Sequence, residues 1–433
     1  MKIVLVYQHF MIHGVGSTKP YDLARHLVRQ GHEVTVICGR GYLSQGMAVP
    51  PGLVCRMEIE GIKLRVLGVE YRQKMGFARR LWAFASFTLM AMLMVCFMRP
   101  FDVLVASSTP LTVGLVGLLT RHLRRRPWVF EIRDLWPEFP VRAGYLKNPL
   151  LIRLSYFFEG WFYRNASAVA AISQRMRRRL IERGFDGDKI HFIPTGVDMT
   201  AFDNVPSAQE WWARQGLARD DAAHAPSDGA GATLKRSEAE LGGAIPLRAL
   251  YLGAHGPTNG LQYALEAAAL LRPADRIKLV LVGDGVDKPR LVAQAKERKL
   301  TEIVFAPPVK RDLVPALLAS CDVALLIDRV EPGSEYAMPN KLFDYIAAGK
   351  PTVTNTPAEL WDHLRDAEAG LLVDNNNPQE FVDALRRLRD DRAMAARMGA
   401  NALALARTTF DRAQLNAQWE RLLGKVAQPF QAV

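Results

Sequence analysis

The sequence predicts an α/β protein of two Rossmann-like domains, each built on a doubly wound parallel sheet, and three observations carry that expectation. The chain has 433 residues, too many for one compact core and suited to two domains of ordinary size. Near its start, a short apolar run at residues 3–7 leads into the glycine loop Gly14-Val15-Gly16-Ser17. An amphipathic helix through Leu23, Leu27 and Val28 and a second apolar run at 33–37 follow. That order is a βαβ unit. It returns at 247–252, with Gly253 and His255 in the turn, a helix through 261–271, a strand at 277–282 and then Gly283-Asp284-Gly285. Neither half has the Gly-x-Gly-x-x-Gly spacing with a downstream acid that marks a dinucleotide site.

Composition narrows the class. Hydrophobic residues make up 49% of the chain, which excludes general disorder. Cys38, Cys55, Cys96 and Cys321 are scattered without metal or disulfide spacing, as in a reducing cytosol. Lys2 leads directly into a short apolar run followed by His9 and His13, which is not the pattern of a signal peptide. A net charge of +12 asks for an anionic partner, whether nucleotide, nucleic acid or acidic lipid. Nothing resembles a nucleic-acid recognition module, so a nucleic-acid partner is not expected.

Taken in order, residues 1–202 form the first domain. Residues 81–98 contain no charge and are flanked by Arg72 through Arg80 and by Arg99; that length is at the lower edge of a membrane span. A crossing would split the strand at 101–106 from the earlier strands of the same sheet, so a span is rejected. Two readings remain, an ordinary sheet-packing helix and, the favoured one, a helix that meets an anionic membrane surface, with Arg121–Arg126 as a second basic flank. A strand at 127–132 ends in Glu131-Ile132-Arg133-Asp134-Leu135-Trp136. Polar groups at such strand ends are where open α/β sheets place their sites, although a salt-bridged loop reads equally well there. Residues 150–180 are helical around a strand at 167–173. Asp186-Gly187-Asp188 sits in a turn and reads as structural, so no metal is expected. Residues 203–246 are a linker whose Ala/Gly/Asp/Ser-rich part, 220–233, reads as a flexible insertion. The second domain, 247–408, adds strands at 303–305, 321–327, 352–354 and 370–373, then helix from 378 to 408. Residues 409–433 supply a final helix.

The stretch Met338-Pro339-Asn340-Lys341-Leu342-Phe343-Asp344-Tyr345-Ile346-Ala347-Ala348-Gly349-Lys350-Pro351 organises the second domain. Pro339 suits a first helical position and Gly349 with Pro351 the stop. Leu342, Phe343 and Ile346 fall on an apolar side; Lys341 and Asp344 share another. A lysine in a first turn opposes the helix dipole, and a bound phosphate would relieve it. A solvated helix with an incidental Lys/Asp pair is the plain alternative.

This wording resembles the donor-site helix of retaining glycosyltransferases of family four, which have the GT-B fold. Pro-Asn-Lys-Leu-Phe-Asp-Tyr is similar to the bacterial subgroup that builds O-antigen, capsule and exopolysaccharide. The resemblance covers nearly the whole chain apart from the insertion. It implies two Rossmann-like domains facing across a cleft, with the C-terminal helix returning to the first. It implies a nucleotide-sugar co-substrate, taken as a UDP-sugar used without metal or cofactor, and transfer of an N-acetylated amino sugar. The acceptor it implies is lipid-linked or a saccharide, on the cytoplasmic face of the membrane.

Residue by residue, Asp344 matches the second acid of the family's Glu-x7-Glu motif, which holds the ribose. Tyr336 stands at the first, with Glu335 one residue away. Arg133-Asp134 stands where many members have His-Asp facing the acceptor. Asp134 is therefore the candidate to orient the acceptor hydroxyl or take its proton, and Arg133 to grip a phosphate. Gly14 and Gly16 match the loop near the acceptor, Gly16 also the donor phosphate. Members commonly have an Arg and a Lys after the first strand of the second domain; this chain has His255 and Asn259. Lys341 is the candidate replacement, supporting the leaving diphosphate, with Lys310 or Arg311 to help it. Gly253, His255, Gly283, Asp284, Gly285, Glu335, Asn340, Lys341, Leu342 and Asp344 complete the expected donor site. A nucleotide-sugar epimerase and an inactive sugar-nucleotide binder are the rival readings.

Overall fold

The computed structural model describes residues 1–12, 18–44, 47–71, 75–218 and 246–428. The loop with Gly14 and Gly16, Arg72 of the basic flank and the insertion at 220–233 lie outside the described residues. The chain divides into two units. The first takes in Met1–Gly196, Pro332–Met338 and Arg412–Val433, and the second Val197–Glu331 and Pro339–Asp411.

The first unit runs β1 (Lys2–Tyr7), α1 (Lys19–Arg29), β2 (Glu33–Gly39), a one-turn α2 (Arg40–Leu43), β3 (Val54–Ile59), β4 (Ile62–Leu67) and α3 (Phe77–Phe97). It continues with β5 (Val103–Ser107), α4 (Gly114–His122), β6 (Trp128–Ile132), a short α5 (Glu138–Arg142) and α6 (Pro149–Asn165). Then come β7 (Ala168–Ala171), α7 (Gln174–Glu182) and β8 (Ile190–Phe192). Its eight strands are ordered β3-β4-β2-β1-β5-β6-β7-β8. All neighbours are parallel except the β3–β4 hairpin. Central strands such as β1 and β5 are near-continuous apolar runs because helices cover both faces.

One face carries α3, α4, α6 and α7, the other α1 and the C-terminal α16 (Arg412–Ala427). α3 buries Ala83, Phe87, Ala91 and Val95, the four-residue spacing of one helix side. β4 before it and β5 after it belong to the same sheet, so α3 lies along that sheet and does not cross a membrane. α16 returns to this unit through buried Trp419 and Leu423. Its Arg412 guanidinium donates to Asp22 Oδ2 at 2.6 Å and to the Gly196 carbonyl at 2.7 Å.

The hairpin is absent from the sequence reading. Its signal was available in the alternation across 54–59 and 62–67 around Glu60-Gly61, which take φ +48° and +79°, the positive angles of a two-residue turn.

The second unit contains α8 (Gln209–Arg214), β9 (Leu247–Leu252), α9 (Gln262–Leu270), β10 (Ile277–Val282), α10 (Lys288–Glu297) and β11 (Ile303–Ala306). It goes on through α11 (Val314–Ser320), β12 (Val323–Leu326), α12 (Asn340–Ala347), β13 (Thr352–Thr354), α13 (Glu359–Asp366), β14 (Gly370–Leu372), α14 (Pro378–Asp390) and α15 (Arg392–Thr409). Its six strands are all parallel, in the order β11-β10-β9-β12-β13-β14. Numbered along the unit this is 3-2-1-4-5-6, the doubly wound arrangement.

Two details differ from expectation. The helix expected over 378–408 is two helices, broken at Asp391, whose carboxylate accepts the Met394 N–H at 2.8 Å and caps the second. Pro339 is the cap of α12 with an extended ψ of 133° rather than its first residue. Gly349 ends that helix at φ +63°, and Asp186 caps its own turn by accepting the Asp188 N–H at 3.0 Å.

Because Trp419 is the largest fully buried side chain of α16, Trp419→Ala should destabilise the first unit by about 3–5 kcal/mol. Chemical denaturation followed by circular dichroism checks this, and an unchanged midpoint would detach α16 from the stability of the sheet.

Candidate active site

In each sheet the strand order reverses once, between β1 and β5 and between β9 and β12. Loops leaving the C-terminal ends there diverge and open a crevice.

In the second unit α12 brings Lys341 to that point. Its ammonium donates to Asp328 Oδ1 at 3.0 Å, to the Ile327 carbonyl at 3.3 Å and to the Tyr251 hydroxyl at 3.3 Å. It lies 4.5 Å from the Tyr251 ring centroid. Asp328 is fixed in turn by Asn355, which accepts its N–H and donates to its carbonyl, both at 3.1 Å. Tyr345, on the same helix, accepts the Leu252 N–H at 3.1 Å. Burial lowers the Lys341 pKa while Asp328 opposes that shift. The charge that seemed to call for a phosphate is therefore already balanced by Asp328, a residue the sequence did not single out.

Asp344 is occupied too. Both its oxygens accept from the half-exposed Arg311 guanidinium at 2.5 Å. With Leu342, Phe343, Tyr345 and Ile346 buried, α12 is packed on all sides and is not a solvated helix. The Leu342 N–H is bonded to the Pro339 carbonyl at 3.1 Å, and Asn340 stands exposed at the helix start.

The two glycine turns are zipped together. Gly253 N–H donates to the Val282 carbonyl at 3.0 Å and His255 N–H to the Asp284 carbonyl at 2.8 Å. A Cβ on Gly283, at φ +152°, would sit 1.8 Å from the Gly253 carbonyl oxygen, and one on Gly285 2.3 Å from that of His255. Glycine is required here by the chain's approach to itself. The His255 ring is fully buried, and neither nitrogen has a hydrogen-bond partner among the described residues. Burial and the nearby Lys288 ammonium lower its pKa to about 4, so the imidazole is neutral.

Glu335 is grouped with the first unit. It is ion-paired with Arg142, accepts the Gly333 N–H at 2.8 Å, and its carbonyl accepts from Arg175 at 3.2 Å.

At the crevice of the first unit, Arg133 N–H donates to Ser108 Oγ at 3.1 Å. Thr109 Oγ1 donates to the exposed Asp134 carboxylate at 3.2 Å. Beneath them is a pair that sequence reasoning missed, Lys19 Nζ to Glu131 Oε1 at 2.6 Å, both buried. Burial raises the Glu131 pKa, but Lys19 and Arg133 outweigh it and hold the carboxyl below its usual range. A glutamate inside the buried strand β6 was the available signal, since such a charge demands a partner. Among the described residues no group of three His, Cys, Asp or Glu side chains could hold a metal.

Residues 16–196 match the model of a glycosyl transferase 4-like domain, and residues 246–391 that of glycosyl transferases group 1. The chain belongs to glycosyltransferase family four. The Escherichia coli K12 protein WcaI, named as a colanic acid biosynthesis glycosyl transferase, is 27% identical over 216 residues, 50% of this chain and 47% of WcaI. A D-inositol 3-phosphate glycosyltransferase of Thermomonospora curvata is 28% identical over 258 residues, 56% of this chain and 53% of that protein. The chain thus spans about half the length of these two relatives. HepE of Anabaena, solved in complex with UDP, superposes with a TM-score of 0.68 over 98% of this chain and all of HepE at 17% identity. The fold is therefore GT-B.

His255 gives the second unit an acid-sensitive element. The unfolded state takes up a proton below about pH 6.5, whereas the folded ring resists it down to about 4. Stability from this group is present above pH 6.5 and lost as pH falls toward 4. His255→Asn should flatten the fall in thermal midpoint across that window, and an unchanged acid slope would show that the ring does not contribute.

Proposed function

We propose that the enzyme transfers a sugar, an N-acetylated amino sugar, from a UDP-sugar to a lipid-linked or saccharide acceptor, with retention, during synthesis of a bacterial surface polysaccharide. The observation that carries this reading is the cluster at the crevice of the second sheet, where Lys341, Tyr251 and Asp328 meet beside the Arg311–Asp344 pair. It combines cations with acceptors for ribose hydroxyls on one eight-residue helix and the loops around it. The UDP complex of HepE supports the choice of nucleotide, and the name of WcaI supports a polysaccharide product.

In this reading the second unit holds the donor. Asp344 takes the ribose, with Arg311 yielding one or both of its bonds. Lys341 and the start of α12 stabilise negative charge on the departing diphosphate, a gain larger in a water-poor site than in solution. The first unit holds the acceptor. Thr109 fixes one carboxylate oxygen of Asp134, leaving the other to orient the acceptor hydroxyl. Arg133 pairs with a phosphate, and the Lys19–Glu131 pair below keeps β6 and α1 in register. The enzyme works at the cytoplasmic face of the cell membrane, a location supported by the apolar outer side of α3.

A thermal-shift panel with UDP, GDP and TDP, without added metal, tests the donor assignment. At about 100 times its dissociation constant a ligand adds about 2.7 kcal/mol of stability. UDP should shift the midpoint most, and a folded Lys341→Met protein should lose the shift. Asp134→Asn should keep the UDP shift yet lower transfer at least about a hundredfold, measured with radiolabelled donor. Donor conversion without any acceptor would instead indicate an epimerase, and binding without turnover an inactive binder.

A further inference from the structure

We propose that α3 and α6 together form a docking face for an anionic lipid bilayer, into which the enzyme settles in the plane of the interface. This rests on the proposed location at the membrane and identifies the surface responsible.

α3 has two apolar sides. While Ala83, Phe87, Ala91 and Val95 pack inward, Leu81, Ala85, Leu89, Leu93 and Phe97 form a second four-residue stripe that is exposed. At the two ends of the helix Phe97 is 87% exposed and Trp82, next to Leu81, 75%. A helix at a water-facing surface presents polar residues outward; this one does not. α6 repeats the arrangement. Leu150, Leu154, Phe157 and Trp161 stand exposed along one side, while Glu159, Phe162 and Tyr163 turn inward. Phe157 is 63% exposed and Leu150 64%. Nineteen large apolar side chains are exposed among the described residues, and ten of them belong to these two helices. Both helices pack on α4, and all three cover the same face of one sheet. The two stripes therefore point away from the sheet on the same side.

Charge decides the occupant. Between Glu70 and Glu131 the chain has nine Arg and Lys residues against one acid, Asp102. The lone acid of α6, Glu159, is buried against Arg183. Arg79, Arg99, Arg125, Arg126 and Arg153 are exposed on or beside these helices. A second copy of the chain would set this positive rim against itself. An anionic bilayer takes up both the apolar stripes and the rim, since its headgroups attract basic residues near the surface. Trp82 and Trp161 have the amphipathic rings suited to the headgroup level. Because β4 and β5 share one sheet, the contact is monotopic.

The test is flotation of the full-length protein with vesicles of phosphatidylcholine and phosphatidylglycerol at about 3:1, compared with phosphatidylcholine alone. The protein should float with the anionic vesicles and much less with the neutral ones. Leu154→Glu combined with Phe157→Glu should cut the bound fraction more than about tenfold. Those variants should keep the wild-type thermal midpoint and UDP shift, which separates the docking face from the donor site. Vesicle binding by a protein with no UDP shift would remove the donor assignment and leave this surface standing. Undiminished flotation of the α6 variants, flotation equal on both lipids, or a stable dimer in sedimentation that the variants dissociate would each overturn the proposal.

Discussion

The interaction on which the second unit turns is the burial of one ammonium ion. Lys341 sits at the point where a parallel sheet reverses its strand order, a place that topology leaves open. There it ties together three pieces of chain that are distant in sequence. Asp328 neutralises it, Tyr251 offers a hydroxyl and a ring face, and the Ile327 carbonyl accepts a third bond. Removing any one of them would leave a charge or donor unsatisfied in a largely buried site, which costs more than the net gain of making the bond. The geometry of α12 is thus held from within the unit, and the helix start is fixed before a ligand arrives.

That internal balance explains which parts of the site could be read from sequence. The position of α12 was legible, because proline before it and Gly349 after it are backbone requirements that composition reveals. The two sheets were legible for a similar reason, as strands covered on both faces must be continuous apolar runs. The state of the charges was not legible. Lys341 looked like a cation awaiting phosphate, and Asp344 like an acid awaiting ribose, yet each has a protein partner whose distance in sequence is 13 and 33 residues. The Lys19–Glu131 pair spans 112 residues. Only the fold reveals such partners, because hydrogen-bond and charge satisfaction are three-dimensional conditions with no periodicity in the chain.

The glycines teach the converse. Gly283 and Gly285 resembled residues that clear space for a nucleotide, and the structure supplies a nearer reason. Two strand-end turns lie so close that a Cβ would enter the carbonyl of the opposite turn. The same packing shuts His255 away from water and from partners, which makes it neutral. A motif-like glycine pair therefore reports first on how chain meets chain; a ligand, if it comes, inherits a surface already shaped by that contact.

α3 and α6 show the limit of hydropathy read one helix at a time. From sequence, α3 alone was long and apolar enough to raise the question of a membrane, and sheet continuity answered that it does not cross. Its buried stripe covers only one side of its apolar surface. The outer side finds no protein cover, and α6, which has ordinary length and a glutamate in its middle, has the same uncovered side. The glutamate is misleading in the sequence because Arg183 has taken it inward. Once that charge is removed from the outer surface, both helices present only hydrocarbon, aromatic rings and arginine to the outside. A surface of that composition is unfavourable in water and favourable at an interface where apolar chains meet anionic headgroups. The proposed docking on an anionic bilayer is the arrangement that would cover both stripes and the basic rim together.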